Sequence, residues 1–325
     1  MVHVLVLLKQ PENAAMGLDA RLRAAFPQLE VSSAESLAGA GDAVERAEIL
    51  ISLGVHLGAD AGELYRRAKA VRWIQLIGAG VDNVVGHPGL PGDIMVTNVH
   101  GIHGRQVSEA TLAAMLALAR QLPRTLRNQD ARRWERFAPQ LLGGKTAGVF
   151  GAGAIAEVLT PLLKALGMTV VIISSTGRLI AGADEARRRE DLETAVADLD
   201  HLVVLTPLTP QTRGVIDARI LKAMKPSAYL INLARGGVVD DQALLEALQA
   251  GEIAGAALDV FSVEPLPADH PLWGQANVIV TPHIAGYHDG YGDQVAAVVD
   301  RNMRCYLAGR ATEMINRVDD AARNG

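Results

Sequence analysis

The sequence predicts an α/β protein of two domains, each built on a doubly wound parallel sheet. Short apolar runs alternate with helical patterns along most of the chain, which is typical of parallel strands joined by helices. The length of 325 residues suits two domains. The alternating pattern starts again after a glycine-rich turn near the middle of the chain, so a second sheet is expected there.

The first hundred residues predict one five-stranded unit. Helical segments separate its strands, for example at 19–26 and 61–69. Five strands of this kind suit a flavodoxin-like sheet. The run from Val4 to Leu8 is too short for the core of a signal peptide, and we interpret it as a buried strand. The predicted strands lie at 3–8, near 29–33, and at 49–53, 72–77 and 94–98.

The second half predicts a Rossmann domain of six strands. A helix at roughly 291–308 follows the last of them, and we place it back on the first unit, which makes that unit discontinuous. The expected domains are therefore 1–100 plus 287–325, which is flavodoxin-like, and 101–286, which is an inserted Rossmann domain. The six strands lie at 146–150, 169–174, 201–206, 228–233, 254–260 and 277–281.

Composition excludes several classes of protein. Lys and Arg total 31 against 36 Asp and Glu, so the net charge of −5 is no footprint of a nucleic-acid binder. The hydrophobic fraction of 49% is too high for a disordered chain. The single cysteine, Cys305, rules out an intrachain disulfide and fits a reducing compartment, so we expect a cytoplasmic protein. The apolar stretch at 110–119 is about half the length of a membrane span, and no membrane association is expected.

The glycine-rich turn GAGAIA at 151–156 lies between a predicted strand and a predicted helix. Gly151 permits a tight turn, and Gly153 lets the backbone approach a pyrophosphate. The helix that begins near Ala154 and Ile155 then supplies N–H donors and a favourable dipole. The pattern indicates dinucleotide binding, and a purely structural turn is the alternative.

Three later segments carry residues suited to hydride-transfer chemistry. Arg235 can hold a substrate carboxylate with its planar fork, and His283 can move a proton near neutral pH. Glu264 can orient the imidazole and favour its charged form. These side chains, together with Asp259, lie at or just beyond the carboxyl ends of predicted strands, where open α/β sheets bind ligands. The segments are LINLARGGVVD at 230–240, ALDVFSVEPLP at 257–267 and VIVTPHIAG at 278–286.

These segments resemble the D-isomer-specific 2-hydroxyacid dehydrogenase family. The resemblance spans nearly the whole chain, from IQLIGAGVDN at 74–83 to INRVD at 315–319, and is strongest over 202–286. The order Arg235, Glu264, His283, with spacings of 29 and 19 residues, is that of the family's catalytic residues. It implies an NAD(P)-dependent oxidoreductase that acts on small 2-oxo or D-2-hydroxy acids and resembles glyoxylate/hydroxypyruvate reductases.

The resemblance also implies roles for individual residues. Arg235 would bind the carboxylate and polarise the keto oxygen, His283 would donate or accept its proton, and Glu264 would pair with His283. Asp259 would contact the nicotinamide amide, and two lobes would close over the site. Backbone at Gly78, Ala79 and Gly80 would hold the substrate carboxylate. Further cofactor contacts would come from Thr206, Pro207, Leu233, Ala234, Ala285 and Gly286.

The cofactor choice is expected to favour NADPH. An NAD-specific Rossmann unit carries a carboxylate at the end of its second strand, but here that position is Ser174. Ser175 and Thr176 follow and leave room for a 2′-phosphate, and Arg178 can supply a charge-assisted bond. A similar pattern occurs in NADP-preferring reductases of the family. Alternatively, Arg178 points to solvent and either NADP or NAD is used.

Several alternatives stay open. Arg235, Glu264, His283 and Asp259 could each have a structural role, as an ion pair, a turn residue, a buried histidine or a cap. His100 lies near His103, but no carboxylate or thiol adjoins them, so no metal site is expected. The apolar segment 105–122, together with the resemblance, implies a homodimer through the cofactor domain. A dinucleotide-sensing corepressor, or a dehydrogenase of another small anion such as phosphite, is the alternative function.

Overall fold

The computed structural model describes residues 1–10, 16–81 and 84–318. Residues 11–15, residues 82–83 of the IQLIGAGVDN motif and the tail 319–325, which includes the last residue of INRVD, lie outside the described residues. The strands in chain order are β1 (His3–Leu7), β2 (Glu30–Ala34), β3 (Ile49–Ser52), β4 (Trp73–Leu76), β5 (Met95–Thr97), β6 (Thr146–Phe150), β7 (Thr169–Ser174), β8 (Glu185–Arg188), β9 (His201–Val204), β10 (Tyr229–Asn232), β11 (Gly255–Leu258) and β12 (Val278–Val280).

The α-helices of the described residues alternate with these strands. They are α1 (Leu18–Ala25), α2 (Leu37–Ala40), α3 (Ala43–Arg46), α4 (Gly54–Leu57), α5 (Ala61–Arg67), α6 (Gly104–Ala119), α7 (Leu122–Asp130), α8 (Ala154–Ala165), α9 (Leu192–Val196), α10 (Ala218–Ala223), α11 (Asp241–Ala250) and α12 (Tyr291–Leu307). The chain forms two compact units, Met1–Ile102 with His288–Gly325, and His103–Tyr287.

The first unit is built on a parallel sheet in the order β2-β1-β3-β4-β5. This is the flavodoxin-like order that the sequence predicts. The inner strands β1, β3 and β4 are buried along their whole length, which explains their mostly apolar sequences. The edge strand β2 is more polar and partly exposed.

A buried polar network ties α12 to the sheet of the first unit. The side-chain amide of Asn302 donates to Gln75 Oε1 at 3.0 Å, and the Thr97 hydroxyl donates to the same oxygen at 2.9 Å. Trp73 Nε1 in turn donates to Thr97 Oγ1 at 2.8 Å. Because buried polar groups are costly unless paired, this satisfied network specifies where α12 packs. The first unit is therefore discontinuous in sequence.

The second unit is built on a parallel sheet in the order β12-β11-β10-β9-β6-β7-β8. It has seven strands, so the prediction of six is wrong by one. The additional strand, β8, has the charged sequence EARR and lies at the sheet edge next to β7. A short polar edge strand gives no apolar signal in the sequence, since it does not cross the buried core.

Two apolar clusters cover the two faces of the second sheet. One includes Val171 and Ile173 of β7 with residues of α9, α10 and α11, and the other includes Val170 and Ile172 with residues of α6 and α8. The predicted α/β class with doubly wound parallel sheets is confirmed. Among the described residues, no helix combines the length and apolar character needed to cross a membrane.

Candidate active site

The turn between β6 and α8 has the geometry of a phosphate cradle. Gly151 has φ 133°, and a Cβ there would lie 2.8 Å from the carbonyl carbon and oxygen of Leu205, so only glycine fits. Gly153 is the N-cap of α8 and gives the helix no side-chain cap, and a Cβ at Gly153 would meet nothing within 4 Å. The first N–H groups of α8 are thus open to an anion, and the turn fits a dinucleotide pyrophosphate.

The loop after β7 is held by hydroxyl groups. Ser174 ends the strand, is 8% exposed, and accepts a hydrogen bond from the Gly177 N–H at 3.2 Å. Thr176 Oγ1 accepts from the Arg178 N–H at 3.3 Å, and Ser175 lies between these two hydroxyl residues. A carboxylate is absent from residues 174–178, so nothing on this loop would repel a 2′-phosphate.

Arg178 lies against the dinucleotide turn. Its guanidinium donates to the Ala152 carbonyl at 2.7 Å and to Glu157 Oε1 at 2.9 Å. The side chains of Arg178 and Glu157 are 54% and 52% exposed, so their ion pair is weak and exchangeable. Glu157 belongs to the first turn of α8, where the helix dipole favours an anionic side chain.

The turn after β10 carries Arg235. Asn232, the last residue of β10, donates from Nδ2 to the Arg235 carbonyl at 3.1 Å and accepts from the Ala234 N–H at 3.2 Å. A Cβ on Gly236 would lie 1.9 Å from the Phe261 carbonyl carbon, so the turn can approach the loop after β11 only with glycine there. The Arg235 side chain is partly exposed and donates to the Ala234 carbonyl at 2.7 Å.

Glu264 and His283 form a direct pair beyond the carboxyl ends of β11 and β12. His283 Nδ1 lies 2.7 Å from Glu264 Oε2, and Glu264 Oε1 accepts from the Phe261 N–H at 2.9 Å. The Glu264 side chain is 28% exposed and the His283 side chain is 34% exposed. The carboxylate is therefore anchored at one oxygen and orients the imidazole with the other.

Charge and burial act in opposite directions on Glu264. Burial alone raises the pKa of the Glu264 carboxyl. The hydrogen bond and charge of His283, the Phe261 N–H and the charge of Arg235 lower it, and together they hold the pKa of Glu264 below its usual value. Glu264 is thus ionised at neutral pH and accepts a hydrogen bond from the Nδ1–H of His283, so Nε2 is the His283 nitrogen left for a reactant.

Asp259 holds the loop that carries His283. Its carboxylate is buried at 1% exposure and accepts from Thr281 Oγ1 at 2.5 Å, from Ile284 N at 2.9 Å and from Ala285 N at 2.8 Å. The His283 N–H donates to the Asp259 carbonyl at 2.8 Å. His283 has φ 56°, a strained conformation for a non-glycine residue, and these four hydrogen bonds over-determine it.

The other predicted cofactor contacts follow strands β9, β10 and β12 of the same sheet. Thr206 follows β9 and is 9% exposed, and the Pro207 carbonyl accepts from Thr212 Oγ1 at 2.7 Å. Leu233 and Ala234 precede Arg235 and are partly buried. The Ala285 N–H is already used by Asp259, and Gly286 lies beside the His103 ring.

The predicted substrate loop belongs to the first unit. Gly78 follows β4, and a Cβ there would lie 2.7 Å from Leu53 Cδ1. The Ala79 carbonyl accepts from Asn98 Nδ2 at 2.9 Å, and Gly80 follows directly. The loop is therefore fixed within its own unit by packing and by hydrogen bonds from Asn98 and Val99.

Sequence reasoning missed the supporting residues. Asn232 fixes the Arg235 turn, Thr281 binds Asp259, and Glu157 pairs with Arg178. Asn232 had a usable signal, because Asn at a strand end commonly bonds the backbone two or three residues on. Glu157 had none, since the pairing joins side chains 21 residues apart.

Comparison with known proteins identifies the family. The sequence model described as "D-isomer specific 2-hydroxyacid dehydrogenase, NAD binding domain" matches residues 112–285. A crystal structure of a D-isomer specific 2-hydroxyacid dehydrogenase family protein from Aeromonas salmonicida is 34% identical, with a TM-score of 0.85, over 98% of this chain and 99% of that chain.

Two named reductases are also similar. The crystal structure of an NADPH-dependent glyoxylate/hydroxypyruvate reductase from Sinorhizobium meliloti, in complex with NADP and sulfate, is 28% identical, with a TM-score of 0.83, over 99% of this chain and 100% of that chain. Glyoxylate/hydroxypyruvate reductase A of Yersinia enterocolitica is 33% identical over 265 residues, 79% of this chain and 83% of that protein. The chain spans less than half of the D-3-phosphoglycerate dehydrogenases that it also matches.

A Rossmann sheet with an open phosphate turn and a nearby His–Glu pair is typical of nicotinamide-dependent oxidoreductases. The chain belongs to the D-isomer specific 2-hydroxyacid dehydrogenase family and is an NAD(P)-dependent oxidoreductase. The family, the enzyme class and a nicotinamide dinucleotide, NADP or NAD, are therefore confirmed. The roles of the individual residues stay predictions.

Proposed function

We propose that this chain reduces a small 2-oxo acid to the D-2-hydroxy acid with NADPH, and catalyses the reverse reaction with NADP. The observation that carries the proposal is the 2.7 Å contact of His283 Nδ1 with Glu264, at the edge of the sheet where a Rossmann domain presents its cofactor. This pair supplies an oriented proton carrier next to a cationic side chain, Arg235.

Each residue then has a defined task. When bound, the nicotinamide supplies or accepts the hydride. Arg235 binds the substrate carboxylate and polarises the keto oxygen, because its guanidinium offers several donors in one plane. His283 gives a proton from Nε2 to that oxygen during reduction and takes it back during oxidation. Glu264 stabilises the imidazolium and keeps Nδ1 protonated.

Two further contacts belong to the proposal. Backbone at Gly78, Ala79 and Gly80 binds the substrate carboxylate, and the fixed position of this loop in the first unit is consistent with a binding role. Asp259 acts mainly as a positioning residue for His283, since three hydrogen bonds from the loop already use its two oxygens. A remaining lone pair can still accept from the nicotinamide amide.

The NADPH preference is supported by the loop after β7. Ser174, Ser175 and Thr176 present hydroxyls instead of a carboxylate, and Arg178 already lies at the dinucleotide turn. The relative from Sinorhizobium meliloti, solved with NADP, is named NADPH-dependent. Binding of a 2′-phosphate to Arg178 would exchange one weak, half-exposed partner, Glu157, for a stronger one.

Substrate and cofactor screening tests this function directly. Glyoxylate, hydroxypyruvate, pyruvate and bulkier 2-oxo acids are each mixed with NADPH or NADH, and the absorbance of the reduced cofactor is followed. We expect turnover with at least one small 2-oxo acid and a higher kcat/KM with NADPH. No consumption with any acid would contradict the reductase, and a higher kcat/KM with NADH would contradict the cofactor preference.

A homodimer through the second unit is part of the same proposal. Several large apolar side chains of this unit are exposed, and Trp134 is 96% exposed. Such surfaces on a single chain indicate a protein contact. We expect light scattering at micromolar concentration to give about twice the chain mass of 34.4 kDa, and a monomer mass would contradict the dimer. Further exposed apolar side chains of this unit include Leu116, Leu122, Leu126, Leu141, Leu162 and Leu166.

A further inference from the structure

The edge strand β8 ends in Arg187 and Arg188, Arg189 follows directly, and one of these three arginines differs from its neighbours. Arg187 Nε lies 2.6 Å from Glu185, and Arg189 lies 3.4 Å from Glu190. Arg188 is exposed and makes no side-chain hydrogen bond or ion pair with any residue that the structure describes. An uncompensated guanidinium between two paired ones is available for an external anion.

Arg188 lies beside the loop that is expected to hold the 2′-phosphate. Its Cα is the register partner of Ser174 across β7 and β8. Its Cγ lies 3.1 Å from the point that a Cβ on Gly177 would occupy, so the stem of Arg188 runs alongside Gly177. Gly177 directly precedes Arg178 in the chain. Arg188 therefore adjoins the same short loop as Arg178.

The two arginines reach this loop from different neighbouring strands. β7 lies between β6 and β8 in the sheet. Arg178 extends towards the turn after β6, where it meets Ala152 and Glu157, whereas Arg188 comes from β8. A phosphate bound at the end of β7 would thus have one guanidinium on each side.

We propose that Arg188 is a second determinant of cofactor specificity, which binds the 2′-phosphate of NADPH together with Arg178. The inference rests on the proposed use of NADPH. A phosphate monoester carries about two negative charges at neutral pH. The charge of Arg178 is locally offset by Glu157, so Arg188 supplies the positive charge that is not already paired.

The strand itself provides a matched control. Arg187 is adjacent, carries the same charge, and points to the opposite face of the sheet because side chains alternate along a strand. It binds Glu185 and also donates towards the Thr194 carbonyl at 3.5 Å. Arg187→Ala therefore removes the same charge as Arg188→Ala without removing a group beside Gly177.

The experiment measures dissociation constants of the full-length protein for NADPH, NADH and 2′,5′-ADP, the last of which carries the 2′-phosphate without the nicotinamide. We expect Arg188→Ala to raise the Kd for NADPH and for 2′,5′-ADP by about 10-fold, which corresponds to the loss of one charge-assisted contact. The Kd for NADH should rise by less than about 2-fold. Arg188→Lys should retain part of the affinity, and Arg187→Ala should retain most of it. The rise of the NADPH Kd with NaCl should become shallower in Arg188→Ala.

Unchanged affinity for NADPH and 2′,5′-ADP in Arg188→Ala would overturn the inference, as would an equal loss for NADH or an equal loss in Arg187→Ala. Arg188→Gln repeats the measurement with a longer polar side chain if the alanine variant is unstable. The wild-type ratio of kcat/KM with the two cofactors judges the proposed preference separately. If the wild type has a higher kcat/KM with NADH, the proposed preference is refuted. If Arg188→Ala nevertheless lowers the affinity for 2′,5′-ADP, the assignment of Arg188 to the 2′-phosphate still stands.

Discussion

Two histidines at opposite ends of the second sheet show how position decides the chemistry of one residue type. His201 begins β9 at the amino edge, is 1% exposed, and stacks on Tyr229 with ring centroids 5.5 Å apart. Burial, only partly opposed by Asp200, lowers the pKa of His201 to about 4. His283 follows β12 at the carboxyl edge, is about one-third exposed, and contacts a carboxylate.

The difference lies in what each environment does to a positive charge. His201 is desolvated, and its Nδ1 has no hydrogen-bond partner among the described residues, so the neutral ring is favoured. His283 keeps access to solvent, and the Glu264 carboxylate accepts from its Nδ1. The first imidazole is a packing group and the second can carry a proton.

The largest effect is expected for His283→Asn. The substitution removes the proton carrier and leaves the dinucleotide turn intact, so kcat should fall by roughly 10²–10⁴ while cofactor affinity changes little. His201→Phe is the matched control, because it replaces the other histidine and keeps an aromatic ring against Tyr229. Steady-state kinetics and cofactor titration measure both variants. Near-normal turnover in His283→Asn would contradict the assignment.

Arg235→Lys should have the next largest effect. Lysine keeps the charge but lacks the planar fork, so the carboxylate and the keto oxygen can no longer be bound together. We expect KM for the 2-oxo acid to rise and kcat to fall, with a combined loss of about 100-fold in kcat/KM. Values of KM and kcat close to those of the wild type would instead make Arg235 structural and place the carboxylate contact elsewhere.

Arg178→Ala should act on the cofactor rather than on the chemical step. The loss of one charge-assisted phosphate contact should lower the affinity for NADPH by roughly 10- to 150-fold, with much less effect on the affinity for NADH. We expect a value at the lower end of this range because Arg178 is half exposed. Glu157→Gln is the complementary variant, because it removes the carboxylate that pairs with Arg178 and should raise the affinity for NADPH. Equal losses for both cofactors in Arg178→Ala would show that Arg178 supports the turn and not the 2′-phosphate.

The sequence predicts the carboxyl edge of the second sheet better than the sheet's outer parts. Strands β6, β7 and β9–β12 are apolar because they cross the core, and the polar residues that follow them mark the site. β8 escapes this reasoning because EARR lies outside the core. The same strand carries Arg188, so the missed element is also the one that adds a basic group beside the cofactor loop.

Pair contacts between distant segments are the other gap. Sequence reasoning identifies Arg178 and pairs Glu264 with His283, but tertiary structure alone decides the partner of Arg178. Arg178 meets Glu157 because both lie beside the dinucleotide turn, and no periodicity encodes that contact. Asp259 was expected at the nicotinamide, and its three loop hydrogen bonds depend on a backbone path that the sequence does not reveal.

The smallest expected effect concerns stability and His201. In the unfolded chain His201 has a pKa near 6.5, whereas in the folded chain burial lowers the pKa of His201 to about 4. Unfolding therefore takes up a proton between these values, and the stability contributed by the neutral ring is lost as the pH falls through 6.5 towards 4. From pH 7.5 to 5.5 the loss of unfolding free energy amounts to about 1.4 kcal/mol.

His201→Phe has no such proton to bind at position 201. Calorimetry should therefore show that Tm falls by about 2–4 °C less in this variant than in the wild type between pH 7.5 and 5.5. Equal drops in both proteins would mean that His201 titrates normally in the folded state, and the contrast with His283 would then be one of position and partner alone.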